Sequence, residues 1–508
     1  MSVARQIEVT LAVGQQKELP VLPAAGQLRD REMHAILEIG VRGGTDRDTG
    51  PVGGAAAVGG AGPALAEVLI VDTSRSMLRP ATKLHAAKDA TVAAIRLLPE
   101  GTAFAVLSGR FDATVVHPGP GSAEMAVAGP AERAAAERAV RILDADGGTA
   151  IGTWLDQARR LLSEQSAPIK HVLLLTDGRN EHDHRADMTL ERALDNCEDR
   201  FICHAWGIGD DWDAELLLSI VRRLHGEARA VRDESELTAR YEELMHELLG
   251  TAIPELRIRL TPTPGTVIRR VKQVVPSEQE LRATTAGPGE RGTEYVTRAW
   301  NDEVRHFQVV LAADPTGHEL GEDLQLAAVE VVVPDFKWPV RLPAPQPILV
   351  RWTNNPLDAS RQHPAVRRHE QYQEASAAVA RAYRAWLRGT GDGVADRELA
   401  RAVTLAAELG DDHLLGALGR IEDEPGTGRI RAGLKDVDWQ HLILSSAMTT
   451  PPQPAAGPHA TAAGPGAAGP APAAARDLVA CPDCGWLGPA DSVYCGGDCG
   501  RRLREQSA

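Results

Sequence analysis

The chain is poor in several things, and each shortage excludes a class of protein. Aromatic residues make up only 4% of it. No run of about 18 apolar residues occurs; the nearest, around 51–71, is broken by glycines and carries Glu67, so no membrane-spanning helix is expected. Basic residues are outnumbered: 55 Lys and Arg face 70 Asp and Glu, a formal net charge of −15. Phosphate-backbone and lipid-headgroup binding rely on clustered cations, so a duplex-DNA or membrane-surface role for the whole chain is disfavoured. The opening MSVARQIEVTLAVGQQ lacks an apolar core followed by a small-residue cleavage site and does not read as a signal peptide.

Cysteine is scarce too. Four of the six crowd into the last stretch, while Cys197 and Cys203 stand apart. That suits a reducing compartment and one metal site better than a secreted disulfide scaffold, so a cytoplasmic location is expected. Glycine (48) and proline (33) are plentiful, pointing to tight turns and at least one disordered linker.

At 508 residues the chain is long enough for three or four units. Residues 1–45 contain IEVTLAV and HAILEIGV, which alternate as half-buried antiparallel strands do. Two or three strands cannot bury a face alone, so they are expected to complete a β-sandwich formed elsewhere. A Gly/Ala linker covers 46–63. From 64 to 250 nearly continuous apolar runs (EVLIVD, TAFAVLS, HVLLLTD, FICHAWGIG) alternate with amphipathic segments. In one of these, Leu84, Ala87, Thr91, Ile95 and Leu98 share a helical face. Such alternation predicts an α/β fold with a doubly wound, mostly parallel sheet and ligands beyond the carboxyl ends of its strands. Residues 251–352 return to β patterning and are expected to form the sandwich into which the α/β unit is inserted, or which follows it.

A helical region is expected over 353–448. There Val366, Tyr372, Val379, Tyr383 and Leu387 are read as one face, with further helices over 397–409 and 412–421. Residues 449–477, Pro/Ala/Gly with almost no charge, read as a disordered tether, and 478–508 as a small metal-bound module.

The first strand of the α/β unit ends in Asp72-Thr73-Ser74-Arg75-Ser76. A D-x-S-x-S alone arises by chance about once in ten chains of this length. Its position after VLIV and before a helix is more telling, because it puts a carboxylate and two hydroxyls at the carboxyl edge of the sheet. Gly147-Gly148-Thr149 and Thr176-Asp177-Gly178 converge on the same edge. Hydroxyls of Ser74, Ser76 and Thr149 and carboxylates of Asp72 and Asp177 are hard oxygen donors, the set that Mg²⁺ or Mn²⁺ accepts in an octahedron that keeps several waters. Helix capping would use one of these residues and leaves Thr149 and Asp177 unexplained.

In these residues the chain resembles the von Willebrand factor A family over roughly 64–250. That family's metal-ion-dependent adhesion site has a D-x-S-x-S, then a Thr, then an Asp, matched here by Asp72, Ser74, Ser76, Thr149 and Asp177. The resemblance implies direct ligation by Ser74, Ser76 and Thr149, with Asp72 and Asp177 often acting through water. An acidic side chain of a partner protein would complete the shell. More loosely, the chain resembles intracellular bacterial members of the family with a β domain and a helical tail. Such proteins tend to be encoded near Ser/Thr kinases, phosphatases or stress-resistance genes, which implies a regulatory scaffold.

At the C-terminus Cys481, Cys484, Cys495 and Cys499 form C-x2-C and C-x3-C pairs separated by ten residues, the thiolate set of a structural Zn²⁺. The module looks like a zinc ribbon, too short for an apolar core, in which metal binding and folding are one event.

Other features have blander readings. Cys197 and Cys203 read as buried hydrophobes. His182 and His184, in Glu181-His182-Asp183-His184, read as a solvated loop at the rim of the site rather than a second metal centre. The run Asp210-Asp211-Trp212-Asp213 reads as the cap of the next helix, with a rim role for Trp212 as the sharper alternative.

The expected function is a cytoplasmic, non-enzymatic protein-binding scaffold, with the ribbon as a tethered second contact. No G-x-x-x-x-G-K-[ST], G-x-S-x-G or H-E-x-x-H occurs. The alternatives are a metal-assisted hydrolase using the same ion and a nucleic-acid-associated factor acting through the ribbon.

Overall fold

The computed structural model describes residues 7–21, 32–43, 65–80, 82–185, 187–231, 236–285, 291–334, 339–389, 393–449, 478–480 and 487–489. The four C-terminal cysteines lie outside the described residues, as does most of the Pro/Ala/Gly stretch.

The apolar runs become the centre of a seven-stranded sheet. Its path runs Ala228–Val231, Ile202–Ile208, Ile169–Thr176, Leu65–Asp72, Ala103–Gly109 and Ala113–His117, with Ala126–Val127 also pairing to Ala103–Gly109. The first five strands are mutually parallel and the last is antiparallel at the edge. Every residue of Leu65–Asp72 is buried, because helices cover both faces of the central strand. Thr82–Leu97 and Glu236–Leu249 lie on one side, where Leu69, Val71, Ala87 and Leu244 share a core. Ile151–Ser163 and Ala214–Arg223 lie on the other, with Val68, Ile70, Trp154 and Leu217.

The N-terminal strands find partners some 300 residues on. Ile7–Gln15 pairs with Glu32–Arg42, which pairs with Glu303–Ala313 in a six-stranded sheet. A second six-stranded sheet is built around Ile253–Pro262, Asp323–Val332 and Gln346–Thr353, and Glu18–Pro20 joins its edge. Both sheets feed one apolar cluster, to which Leu37 and Phe307 contribute from the first and Ile258 and Ile348 from the second.

The helices Pro364–Arg388, Val394–Leu409, Asp412–Leu418 and Asp436–Ser446 pack against the Ala214–Arg223 side of the α/β unit and share its core. The structure differs from the sequence pattern at two points in these helices. Leu387 is 57% exposed, and the buried stripe of the long helix is Val366, His369, Tyr372, Ala375, Ala378, Val379, Ala382 and Ala385. At 3.6 residues per turn, position 387 has rotated about 80° away from Val379. The third helix ends at Leu418, before Ile421.

Candidate functional site

Three loops meet at the carboxyl end of the sheet, and backbone bonds tie them together. Thr73 N donates to Gly109 O (2.9 Å), Asp146 N to Thr73 O (2.9 Å) and Arg75 N to Gly147 O (3.1 Å). Strand Leu65–Asp72 thereby delivers Asp72, the short turn after it delivers Ser74 and Ser76, the turn before helix Ile151–Ser163 delivers Thr149, and strand Ile169–Thr176 hands over to Asp177. All five side chains singled out in the sequence are at this edge.

Polar contacts join four of them, Asp72, Ser74, Ser76 and Asp177, in one network. Asp72 is fully buried; its Oδ1 accepts Ser74 N at 2.8 Å and its Oδ2 accepts Thr176 Oγ1 at 2.6 Å. Ser74 Oγ and Ser76 Oγ are 2.9 Å apart, and Ser76 Oγ donates to Asp177 Oδ1 at 2.8 Å. Burial first, and then the neighbouring Asp177 carboxylate, push the Asp72 pKa up to about 6. Two buried carboxylates on one edge call for a cation.

One cation of the chain already lies there. Lys83, the second residue of helix Thr82–Leu97, donates to Asp177 Oδ2 (2.9 Å) and to Asp211 Oδ2 (2.5 Å). Burial works against its ammonium, but the hydrogen bonds to Asp211 and Asp177 outweigh that and hold its pKa above the ordinary lysine value. One ammonium faces the three carboxylates Asp72, Asp177 and Asp211, so the cluster is still short of positive charge.

The donor set suits a hard divalent ion. A Cβ added to Gly178 would lie 3.1 Å from Thr149 Oγ1 and 3.2 Å from Asp72 Oδ2, so this glycine leaves open a cradle that any side chain would crowd. No group of three or more His, Cys, Asp or Glu able to hold a metal occurs among the described residues. The oxygen-rich edge is built from two carboxylates and three hydroxyls, which is chemistry for Mg²⁺ or Mn²⁺ rather than for Zn²⁺.

The rim holds residues to which the sequence pattern assigns no role of their own. Thr176 fixes Asp72, Lys83 fixes Asp177, and Asn180 Oδ1 accepts Ile151 N (2.9 Å) to start the helix behind Thr149. His182 is half-buried rather than solvated: its Nδ1 accepts Thr149 N (3.3 Å) and its ring meets Phe111 edge-on at 4.9 Å. Asp183 is committed to Leu190 N (2.6 Å). Among the acidic run, Asp213 caps the following helix through Leu216 N (3.0 Å). Trp212 has no rim role. It is fully buried, donates from Nε1 to Gly209 O (2.9 Å), and meets His441 of the helical region edge-on at 5.3 Å. The helical region also reaches the rim directly, through Arg179–Asp436 (3.0 Å).

No helix among the described residues is long and apolar enough to cross a membrane. Residues 66–230 match the von Willebrand factor type A domain family. A solved structure described as von Willebrand factor type A from Catenulispora acidiphila is 30% identical, covers 89% of this chain and 99% of its own, and superimposes with a TM-score of 0.72. The ArnB paralog VWA2 from Sulfolobus acidocaldarius is 11% identical over 87% of this chain and 98% of its own, with a TM-score of 0.47. Among curated proteins, uncharacterized protein sll0103 of Synechocystis is 26% identical over 162 residues, and the match spans 37% of that relative's length. Sequence and structure agree that the chain belongs to the von Willebrand factor type A family.

Proposed function

We propose that this protein is an intracellular, metal-dependent protein-binding scaffold. Mg²⁺ or Mn²⁺ would be held by Ser74, Ser76 and Thr149, with Asp72 and Asp177 supplying negative charge directly or through water. The bound ion would offer an open position to an Asp or Glu of a partner protein. The observation that carries this reading is the convergence of two buried carboxylates and three hydroxyls on one edge of the sheet, where Thr149 and Asp72 bound the gap beside Gly178.

Binding rather than turnover fits the commitments of the acids. Asp72 already accepts two hydrogen bonds, and Asp177 accepts from Ser76 and Lys83, which leaves neither placed as a free general base. The two six-stranded sheets would act as a β-sandwich frame for the α/β unit. Cys481, Cys484, Cys495 and Cys499 would bind Zn²⁺ in a ribbon, tethered by 449–477 as a second contact, and a kinase, phosphatase or stress-response protein is the class of partner proposed.

The test is a pull-down from the native host with wild type and Asp72→Ala in Mg²⁺, without chelator so that zinc stays in place. A protein retained by wild type and lost by the variant supports the proposal. Identical retention by both moves the binding surface away from the ion.

A further inference from the structure

At the opposite end of the same strands lies a second site. Where Ile169–Thr176 and Ile202–Ile208 begin, the α/β unit meets the start of Ile253–Pro262 and the end of Thr293–Trp300 around a cavity of about 240 Å³. Its charged lining is Lys170, Arg200 and Arg298 against Asp199 alone, three positive charges to one negative. Asp199 is also engaged outside the cavity, its Oδ1 lying 2.8 Å from His225 Nε2, and Glu255 lies 3.1 Å from Arg298, so the excess of positive charge rests on Lys170 and Arg200.

Two of the three cations are not neutralised in the usual way. Neither Lys170 nor Arg200 forms an ion pair among the described residues. Arg298 is held in place by Glu255 (3.1 Å) and by the Asp199 carbonyl (2.6 Å), yet its Nε is buried with no partner among the described residues. Lys170 feels the others: partial burial first, then the charges of Arg298 and Arg200, lower its pKa, opposed by Glu164. Like charges are gathered here at a cost to the protein.

The backbone around the cavity is strained too. Among the described residues three non-glycine positions have left-handed backbones: Asp199 (φ 58°), His225 (φ 59°) and Ala299 (φ 47°). Two of them line the cavity and the third holds Asp199. Asp and His tolerate this region, but an alanine there gains nothing locally, and strain of this kind costs about 1–3 kcal/mol and concentrates where a site is held in shape.

We propose that this cavity is an anion site in which Lys170, Arg200 and Arg298 bind a phosphate group, free or carried on a small metabolite. Guanidinium forks and an ammonium are the donors that phosphate recognition uses. Drug-sized pockets run from about 300 Å³ upward, so a cavity of this size suits a phosphate with a few carbon atoms and not a whole nucleotide. The ligand would bridge the α/β unit and the second sheet, away from the adhesion site, and the inference is independent of any metal at that site.

The experiment compares the full chain with a Lys170→Ala/Arg200→Ala double variant, by thermal melting and by ³¹P NMR titration. The probes are inorganic phosphate, glycerol 3-phosphate, ADP and chloride at matched ionic strength. Both substituted side chains reach solvent, so the variant should fold, and relief of repulsion should leave it at least as stable as wild type in anion-free buffer. Phosphate or glycerol 3-phosphate should raise the melting temperature of wild type beyond chloride, with binding weakened at least tenfold in the variant. A stronger effect of glycerol 3-phosphate assigns a phosphorylated metabolite, and a stronger effect of phosphate assigns the free ion. Equal shifts in both proteins, shifts no larger than those with chloride, or a preference for ADP would overturn the proposal.

Discussion

Lys83 Nζ donates to Asp177 Oδ2 at 2.9 Å, with the lysine side chain 5% exposed and the aspartate fully buried. The same ammonium reaches Asp211, whose side chain is largely in solvent. An internal cation thus bonds directly to a carboxylate proposed to serve a divalent ion. It keeps Asp177 from being an uncompensated buried charge, and it repels any metal that enters.

Lys83→Met separates those two effects. Removing one partner of a buried pair typically destabilises by about 3–5 kcal/mol, so the variant should melt well below wild type in chelator. Without the competing charge, whose influence is on the order of 1–4 kcal/mol near a surface site, it should bind Mn²⁺ roughly tenfold more tightly or better. Melting curves with and without Mn²⁺ check both. A variant as stable as wild type in chelator would show that the lysine is not Asp177's counter-charge.

The thiols report on the C-terminal module. Burial pushes the Cys197 thiol up to about 12, and Cys203, also buried, is pushed higher still by burial first and by its neighbours Cys197 and Glu67. If the other four cysteines hold zinc, chelation should release one zinc per chain and expose four thiols to a labelling reagent. All six should react only after denaturation. Four reactive thiols before chelation would contradict a zinc-bound ribbon.

His369 should make the fold sensitive to acid. It is buried, and neither ring nitrogen has a hydrogen-bond partner among the described residues. Burial first, then Lys272 and Arg270, bring its pKa from 6.5 down to about 4, with Glu278 opposing. Below pH 6.5 the unfolded chain therefore takes up a proton that the folded chain refuses. Stability from this group is complete above that pH and is lost progressively as pH falls toward 4. In His369→Leu the drop in melting temperature between neutral pH and pH 4.5 should be smaller than in wild type. An unchanged drop would mean the histidine is protonated in the fold.

What is legible in the sequence is what depends on neighbours along the chain. The run Val68–Val71 places Asp72 at a strand end, and the run before Thr176 does the same for Asp177, so the meeting of their loops follows from parallel topology. Lys83 is not legible, because beside Leu84 on an amphipathic helix it reads as a solvated flank; its partner lies 94 residues away. Trp212 misleads in the opposite sense. Its acidic neighbours suggest a surface, whereas the helical region that buries it begins more than a hundred residues later. His182 is similar, since a half-buried ring under Phe111 leaves no periodic trace. Pairing of the N-terminal strands has a visible need in the sequence, but the register of Glu32–Arg42 against Glu303–Ala313 does not.

The proposed function requires that the oxygen-rich edge beside Gly178 hold a divalent cation. Its most direct test is a Mn²⁺ titration followed by electron paramagnetic resonance, with zinc already in place, on wild type, Asp72→Asn and Gly178→Ala. Wild type should bind one Mn²⁺ that Mg²⁺ displaces. Asp72→Asn should abolish that binding, and the added methyl of Gly178→Ala should weaken it at least tenfold while the fold is retained, as circular dichroism would report. Equal Mn²⁺ binding by all three proteins, or none by wild type, would show that this edge does not hold the cation.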